Sequence, residues 1–163
     1  MIKTFVREDS EFLDKTADAT LVTPIKRTVE YLEKNSYLVE HSLKQGDIIT
    51  IDFGIGVGRE KSGLRPAVVL SESSKNDANE NIIVAPLTSY VNKAKYAKDG
   101  VVWIRDSHIV LSKKYYTQLR STSIIQLEDV RAVSKHRINN FMGTVSERDM
   151  GLIKASLSRM FGL

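Results

Sequence analysis

In the stretch "GREKSGLRPAVVLS", residues 58–71, Arg65 stands between a charged, glycine-bounded loop and an apolar run. Pro66 biases the residue before it toward extended backbone, so the stem of Arg65 leaves this junction in a set direction. Its guanidinium stays charged at any working pH and offers a planar fork of N–H donors that matches a phosphate. A solvated or ion-paired arginine at a strand edge is the plainer alternative. A second polar feature, Thr88 and Ser89, closes the apolar run "NIIVAPLTS" and is followed by Lys93 and Lys95. If the two strand ends are neighbours, a fixed cation and a hydroxyl meet, and together they would hold an anion.

Farther along, basic and aromatic residues interleave: Tyr90, Lys93, Lys95, Tyr96 and Lys98, then Trp103 and Arg105, then "SKKYYTQLR". Lysines that follow phosphates and rings that stack bases, at about 1–3 kcal/mol each, suit a single strand of nucleic acid. A charged hairpin whose rings are partly core is the competing reading. Other chemistries lack their residues. "GIGVG" closes no G-x-G-x-x-G register and reads as a turn after a strand. The three histidines, His41, His108 and His136, stand far apart, with no metal-ligand spacing among them. No serine elbow is present. Cysteine is absent, which removes disulfides, thiolate metal sites and cysteine nucleophiles. No metal and no cofactor are expected.

The elements that must position these groups are mostly strands. "DIITIDF" alternates, with Ile49, Ile51 and Phe53 on one face and Thr50 and Asp52 on the other. "PAVVLS", "NIIVAPLTS", "GVVWI", "HIVLS", "TSIIQL" and "DVRAVS" are further short strands, without the βα alternation of a doubly wound fold. Near the C-terminus, Ser146 is placed to cap a helix. Asp149 takes the third position of a capping box, Val145 and Met150 form a staple, and Met150, Ile153, Leu157 and Met160 make a stripe. Before Gly46, "TPIKRTVEYLEKNSYLVEHSLKQ" reads as an amphipathic helix capped by Thr23, with Ile25, Val29, Leu32, Val39 and Leu43 near helical spacing. The domains expected are a helical extension at 1–45 and a strand-rich domain at 46–163.

The chain has 163 residues, an ordinary length for one domain with a real core. Its net charge of +4 is uneven, −1 over residues 1–45 and +5 over residues 46–163. The positive excess favours a polyanionic partner. No stretch of 18 apolar residues occurs and the N-terminus turns acidic early, so a cytoplasmic protein without a signal peptide or membrane partner is expected.

From about Gly46 onward the sequence resembles the MazF/PemK (Kid) toxins of type II toxin–antitoxin systems. The resemblance rests on "GDIITIDF", on "GREKSGLRPAVVLS" in place of G-S-E-Q-x-G-x-R-P-x-x-V-x, on "NIIVAPLTS", on "IIQLEDVRAVSKHRI", and on "GTV" followed by "LIKA". It implies an α+β, strand-rich fold: a small twisted SH3-like β-barrel of PemK/CcdB type with a C-terminal helix, here carrying the N-terminal helical segment in addition. It implies a metal-independent endoribonuclease that cuts single-stranded RNA by attack of a ribose 2′-oxygen on the adjacent phosphorus.

Carried onto this sequence, the resemblance makes Arg65 and Thr88 the catalytic pair at the scissile phosphate and sets Glu60 near bound RNA or a second subunit. Lys61, Ser89, Lys93, Lys95, Asp129 and Arg131 are the further substrate-binding candidates. Glu60, Glu128 and Asp129 are all open as general base. The partners implied are a cognate antitoxin, a second copy in a homodimer, and operator DNA only through the antitoxin complex. Two departures stand out. Asp129 replaces a frequent glutamine, exchanging an amide for an acceptor-only carboxylate. Arg59 and Lys61 make the loop more cationic than usual. The segment before Gly46 has no counterpart in compact members, and either packs its helix or places the acidic "REDSEFLDKTAD" over the basic cleft. A CcdB-like gyrase poison and a non-catalytic nucleic-acid-binding module are the rival functions, the first weakened because "MFGL" lacks the terminal tryptophan.

Overall fold

A computed structural model describes residues 26, 30, 42–91 and 104–163 of the chain. The expected N-terminal helix and acidic segment, Lys93, Lys95 and the strand expected at 100–104 with Trp103 lie outside the described residues, apart from Lys26 and Glu30, which are helical, and Ile104, which is in irregular chain.

Seven strands form one antiparallel sheet: β1 (Asp47–Asp52), β2 (Leu64–Val69), β3 (Asn81–Ser89), β4 (His108–Leu111), β5 (Ser123–Gln126), β6 (Arg131–Ser134) and β7 (Ile138–Thr144). Beside the sheet stand the helices α1 (Ser73–Ala78) and α2 (Glu147–Phe161), and short 3-10 turns at Leu127–Asp129 and Lys135–Arg137. The strand order is β4-β5-β3-β2-β1-β7, with β6 also paired to β3. The nine residues of β3 make it the spine. One of its edges pairs with β2, while the other takes β6 along Asn81–Val84 and β5 along Leu87–Ser89.

Residues of both parities are buried, which is why these strands read as nearly continuous apolar runs. Ile49, Ile51, Phe53, Ala67, Val69, Ile82, Val84, Val133 and Ile138 form one core cluster, joined by Leu43. Ile48, Val68, Ala85, Leu87, Ile125 and Leu127 belong to a second, closed by Ile153 of α2. The alternation in β1 does sort its two faces, but neither is wet: Ile48 has no exposed surface and Asp52 keeps 3%. Leu43, expected on a helix, lies instead in irregular chain just ahead of β1. It leaves the helical register because it is a core residue of this sheet.

α2 begins as its sequence requires. The Ser146 hydroxyl accepts from the Asp149 N–H at 3.1 Å, and Met150 and Leu157 pack beside the fully buried Ile153. The reciprocal arm of the capping box differs from expectation. The Ser146 N–H donates to the Tyr116 hydroxyl at 3.0 Å, and that hydroxyl donates to the Asp149 carboxylate. Asp149 is too short to reach back to the cap itself, and Tyr116 spans the gap.

Two elements carry no sequence signal. β7, "INNFMGT", holds two asparagines and a glycine, residues that disfavour strands, and it becomes one by pairing with β1 through two irregularities of register. α1 has no apolar stripe. It is organised by Asn76, buried to 1%, whose side-chain amide donates to the carbonyls of Leu43 and Ser71 at 3.0 and 3.2 Å.

Candidate active site

β1 and β2 are joined by the loop that carries Arg59, Glu60 and Lys61. Phe53 N–H donates to Gly63 O at 3.0 Å and Gly63 N–H to Gly54 O at 2.8 Å, closing the hairpin. Gly54 and Gly63 both have positive φ, +73° and +67°, which other residues adopt only under strain. Within the loop, one Glu60 carboxylate oxygen accepts from the Val57 N–H at 2.9 Å.

Arg65 leaves β2 opposite Ile51 of β1. Its Nε–H and Nη2–H both donate to Ser62 O, at 3.0 and 2.6 Å, which fixes the guanidinium plane. Ser62 thus takes two of the five N–H donors, and three can serve another acceptor. The β2–β3 pairing runs from Val69↔Val84 to Ala67↔Pro86, and Arg65 and Thr88 each lie two residues beyond that last pair. Burial pulls the Arg65 pKa below its ordinary value; Asp129 acts against that and Arg131 reinforces it. A partly buried cation of this kind gains when an anion arrives.

Around it stands a group of charges. Lys61 Nζ lies 3.5 Å from the Asp129 carboxylate. Arg131, on β6, donates from Nη2 to Phe53 O at 2.6 Å and lies over the Phe53 ring, 4.5 Å from its centroid. Burial lowers the Arg131 pKa, Glu60 and Asp129 oppose the shift, and Arg137 adds to it. Arg137 Nη1 is 3.5 Å from Asp52 O.

Glu128 faces a different set of groups. His108, its side chain fully buried, accepts the Arg105 N–H at Nδ1 (3.2 Å), so Nε2 carries the proton donated to Glu128 at 2.7 Å. Arg105 Nη1 stands 3.8 Å from the same carboxylate. Burial would raise the Glu128 pKa, but hydrogen bonds from its own backbone N–H, Ser107 and His108 outweigh burial and hold it below the ordinary 4.5. A carboxyl titrating lower when folded stabilises the fold above the unfolded carboxylate range, and that stabilisation fades as pH falls through the folded value. Glu128→Gln is therefore expected to melt a few degrees below the parent at pH 7. The two melting curves should converge as pH is lowered below 4.5, a trend that thermal unfolding across pH will check.

The structure thus gathers Arg65, Lys61, Glu60, Asp129 and Arg131 at one end of the sheet, while Thr88 pairs with Ile124 of β5, two residues past the last β2–β3 pair. Ser89, next along β3, faces the other way and shares a 3.0 Å hydrogen bond with the Ser121 hydroxyl. Sequence reasoning did not single out Phe53 as a platform, His108 as a partner of Glu128, or Arg137. For Arg137 the signal was its place in "SKHRI", within a quoted run. Among the described residues, no group of three or more His, Cys, Asp or Glu side chains is placed to hold a metal ion, and no helix is long and apolar enough to cross a membrane.

An antiparallel sheet core with a C-terminal helix is the PemK/MazF-like topology, and comparison with solved structures bears this out. MazF from Deinococcus radiodurans superposes with a TM-score of 0.60 at 18% identity, covering 76% of this chain and all of that one. An endoribonuclease from a mycobacterial species, solved with its cognate antitoxin, gives a TM-score of 0.54 at 15% identity over 76% of this chain and 96% of its own. At such identities the likeness speaks for the fold.

The sequence comparisons go further. The profile of the family described as "PemK-like, MazF-like toxin of type II toxin-antitoxin system" matches residues 44–161, and the chain belongs to that family. Among its relatives is the endoribonuclease MazF of Staphylococcus epidermidis, 30% identical over 121 residues, which cover 74% of this chain and 92% of that protein. The Staphylococcus saprophyticus endoribonuclease MazF is 27% identical over the same shares.

Proposed function

We propose that this protein is a metal-independent endoribonuclease toxin that cuts single-stranded RNA within short sequences. The observation that supports the reading is how Arg65 is held: partly buried at the start of β2, its guanidinium pinned by Ser62 O and acted on by the charge of Asp129. In the reaction the ribose 2′-oxygen bonds to the adjacent phosphorus, the bond from phosphorus to the 5′-oxygen breaks, and the products are a 2′,3′-cyclic phosphate and a 5′-hydroxyl. Negative charge grows on the phosphorane oxygens, where the guanidinium fork is worth most. Thr88 orients one of those oxygens. Arg65 is also the cation at hand to protonate the leaving 5′-oxygen.

The three carboxylates are no longer equivalent as proton acceptors. Glu128 is committed to His108, and Asp129 to Lys61. Glu60 keeps one oxygen on the Val57 N–H and, among the described residues, has no ion-pair partner. Glu60 is therefore the general base in this reading.

The same reading extends to partners. Relatives have been solved with their antitoxins, among them MazE–MazF from D. radiodurans, and an acidic antitoxin covering this cationic end would silence the toxin. Action as a homodimer in the cytoplasm, with operator DNA reached only through the antitoxin complex, completes the proposal. Incubation of the purified chain with a long single-stranded RNA in EDTA should give discrete cuts that vanish when the RNA is annealed to its complement. An intact RNA would favour the gyrase-poison or binding-module reading; cuts abolished by the chelator would refute metal independence.

A further inference from the structure

Asp129 meets Lys61 of the β1–β2 loop at 3.5 Å, and its backbone belongs to the 3-10 turn Leu127–Asp129 that follows β5 directly. So short a turn has little stability of its own, and its successive side chains leave about 120° apart. Asp129 points to the loop, and Glu128 points to the start of β4. On the Glu128 side the turn is tied down. The Leu127 N–H donates to Ser107 O at 3.0 Å, and the Glu128 carboxylate accepts from His108 Nε2–H at 2.7 Å and from Ser107. His108 is itself fixed from several directions. It opens β4 opposite Gln126 of β5, and its side chain has no exposed surface. The Arg105 N–H occupies its Nδ1 at 3.2 Å, while its own backbone N–H donates to Arg105 O at 2.9 Å. α2 seats the same segment, because the buried Ser156 hydroxyl donates to Asp106 O. Arg105 Nη1 also faces Glu128, but at 3.8 Å and from an exposed side chain, so it adds little.

We infer that His108 is a positioning residue for the candidate active site: through Glu128 it fixes the turn 127–129, and with it the place where Asp129 holds Lys61 and the loop carrying Glu60. The path is short and continuous, from a buried ring to a carboxylate, through one turn of backbone, to an ion pair. Its near end is rigid because the ring is packed and both of its nitrogens are bonded. Its far end is partly exposed and takes its order from the near one. The inference rests on the ribonuclease reading for what the loop does, but its first test reads the loop itself.

That test is amide hydrogen exchange of the full chain, followed by mass spectrometry. His108→Asn keeps an acceptor where Nδ1 stood, and so keeps the Arg105 contact, but its amide is too short to reach Glu128. His108→Gln carries an N–H donor close to where Nε2 stood. In His108→Asn, exchange should quicken at residues 127–130 and, across the ion pair, at residues 58–62 by about two- to fivefold. In His108→Gln it should stay near the parent. Glu128→Ala removes the same bond from its more exposed end and should reproduce the loop signature, so the decision does not hang on a variant with a hole in the core. Quickening that stops at residues 127–130, or a loop that quickens equally in His108→Asn and His108→Gln, overturns the inference. The second test is a kinetic cycle with Asp129→Asn. His108→Asn should lower kcat for RNA cleavage about two- to fivefold, the range for loosening one partly exposed ion pair, with KM changing less. Combined with Asp129→Asn it should cost little further, because both act through Lys61. Losses that multiply overturn the inference. A loop that quickens as expected in a protein that never cuts RNA overturns the ribonuclease reading and leaves the His108 brace standing.

Discussion

Arg65→Ala is expected to lower kcat/KM for RNA cleavage by about two to three orders of magnitude, the usual loss when one preorganised transition-state donor is removed. The magnitude follows from how the residue is held. Pro66 and the β1 pairing fix its stem, Ser62 fixes its plane, and partial burial has already removed part of its hydration. No solvent needs to reorganise as charge builds on the phosphorane. Arg65→Lys should fail almost as badly, because an ammonium cannot hold Ser62 O and a phosphate with one planar fork. Stability should change little in either variant, since the side chain is half-buried and its fixing partners are backbone. Single-turnover cleavage with parallel melting curves will check both statements. Retention of more than a tenth of the activity in Arg65→Ala would remove the residue from the chemistry.

The second large effect is expected at Glu60. General-base catalysis is worth about 100- to 10,000-fold, so Glu60→Gln should drop kcat by at least about 100-fold while KM moves only severalfold. The amide can still accept the Val57 N–H, which keeps the loop conformation close to the parent. Asp129→Asn and Glu128→Gln should cost less than about tenfold each, the first by loosening Lys61 and the second by weakening the His108 contact. If Asp129→Asn instead proves the worst of the three, the proton goes to Asp129 and the assignment made here is wrong. Steady-state kinetics of the three variants on one substrate decide between them.

Much of this arrangement was legible in the residues. Each strand with its own period or apolar run was found, because burial of both faces leaves an unbroken β-branched signal. α2 was found from its cap and stripe. Arg65 and Thr88 were legible as strand-end groups, but that β2 and β3 are neighbours is a long-range pairing that local pattern does not contain. β7 is a strand by pairing and α1 a helix by the hydrogen bonds of Asn76, so neither left a periodic trace. His108 looked isolated among scattered histidines because its partner, Glu128, is twenty residues away across β4 and β5. Arg137 was one basic residue in a basic run until the fold carried it to Asp52 O. The reading of Leu43 as helical had the opposite fault: an apolar residue at helical spacing was recruited by a neighbouring sheet.

The central claim is that Arg65 drives attack by a ribose 2′-oxygen. It is tested most directly by determining the ends produced in EDTA from a defined single-stranded RNA, alongside the same RNA bearing one 2′-deoxyribose at the cut site. A 5′-hydroxyl and a 2′,3′-cyclic phosphate from the first, with no cut at that site in the second, are the predicted result. A 5′-phosphate with a 3′-hydroxyl, or undiminished cutting at the deoxy position, would contradict it.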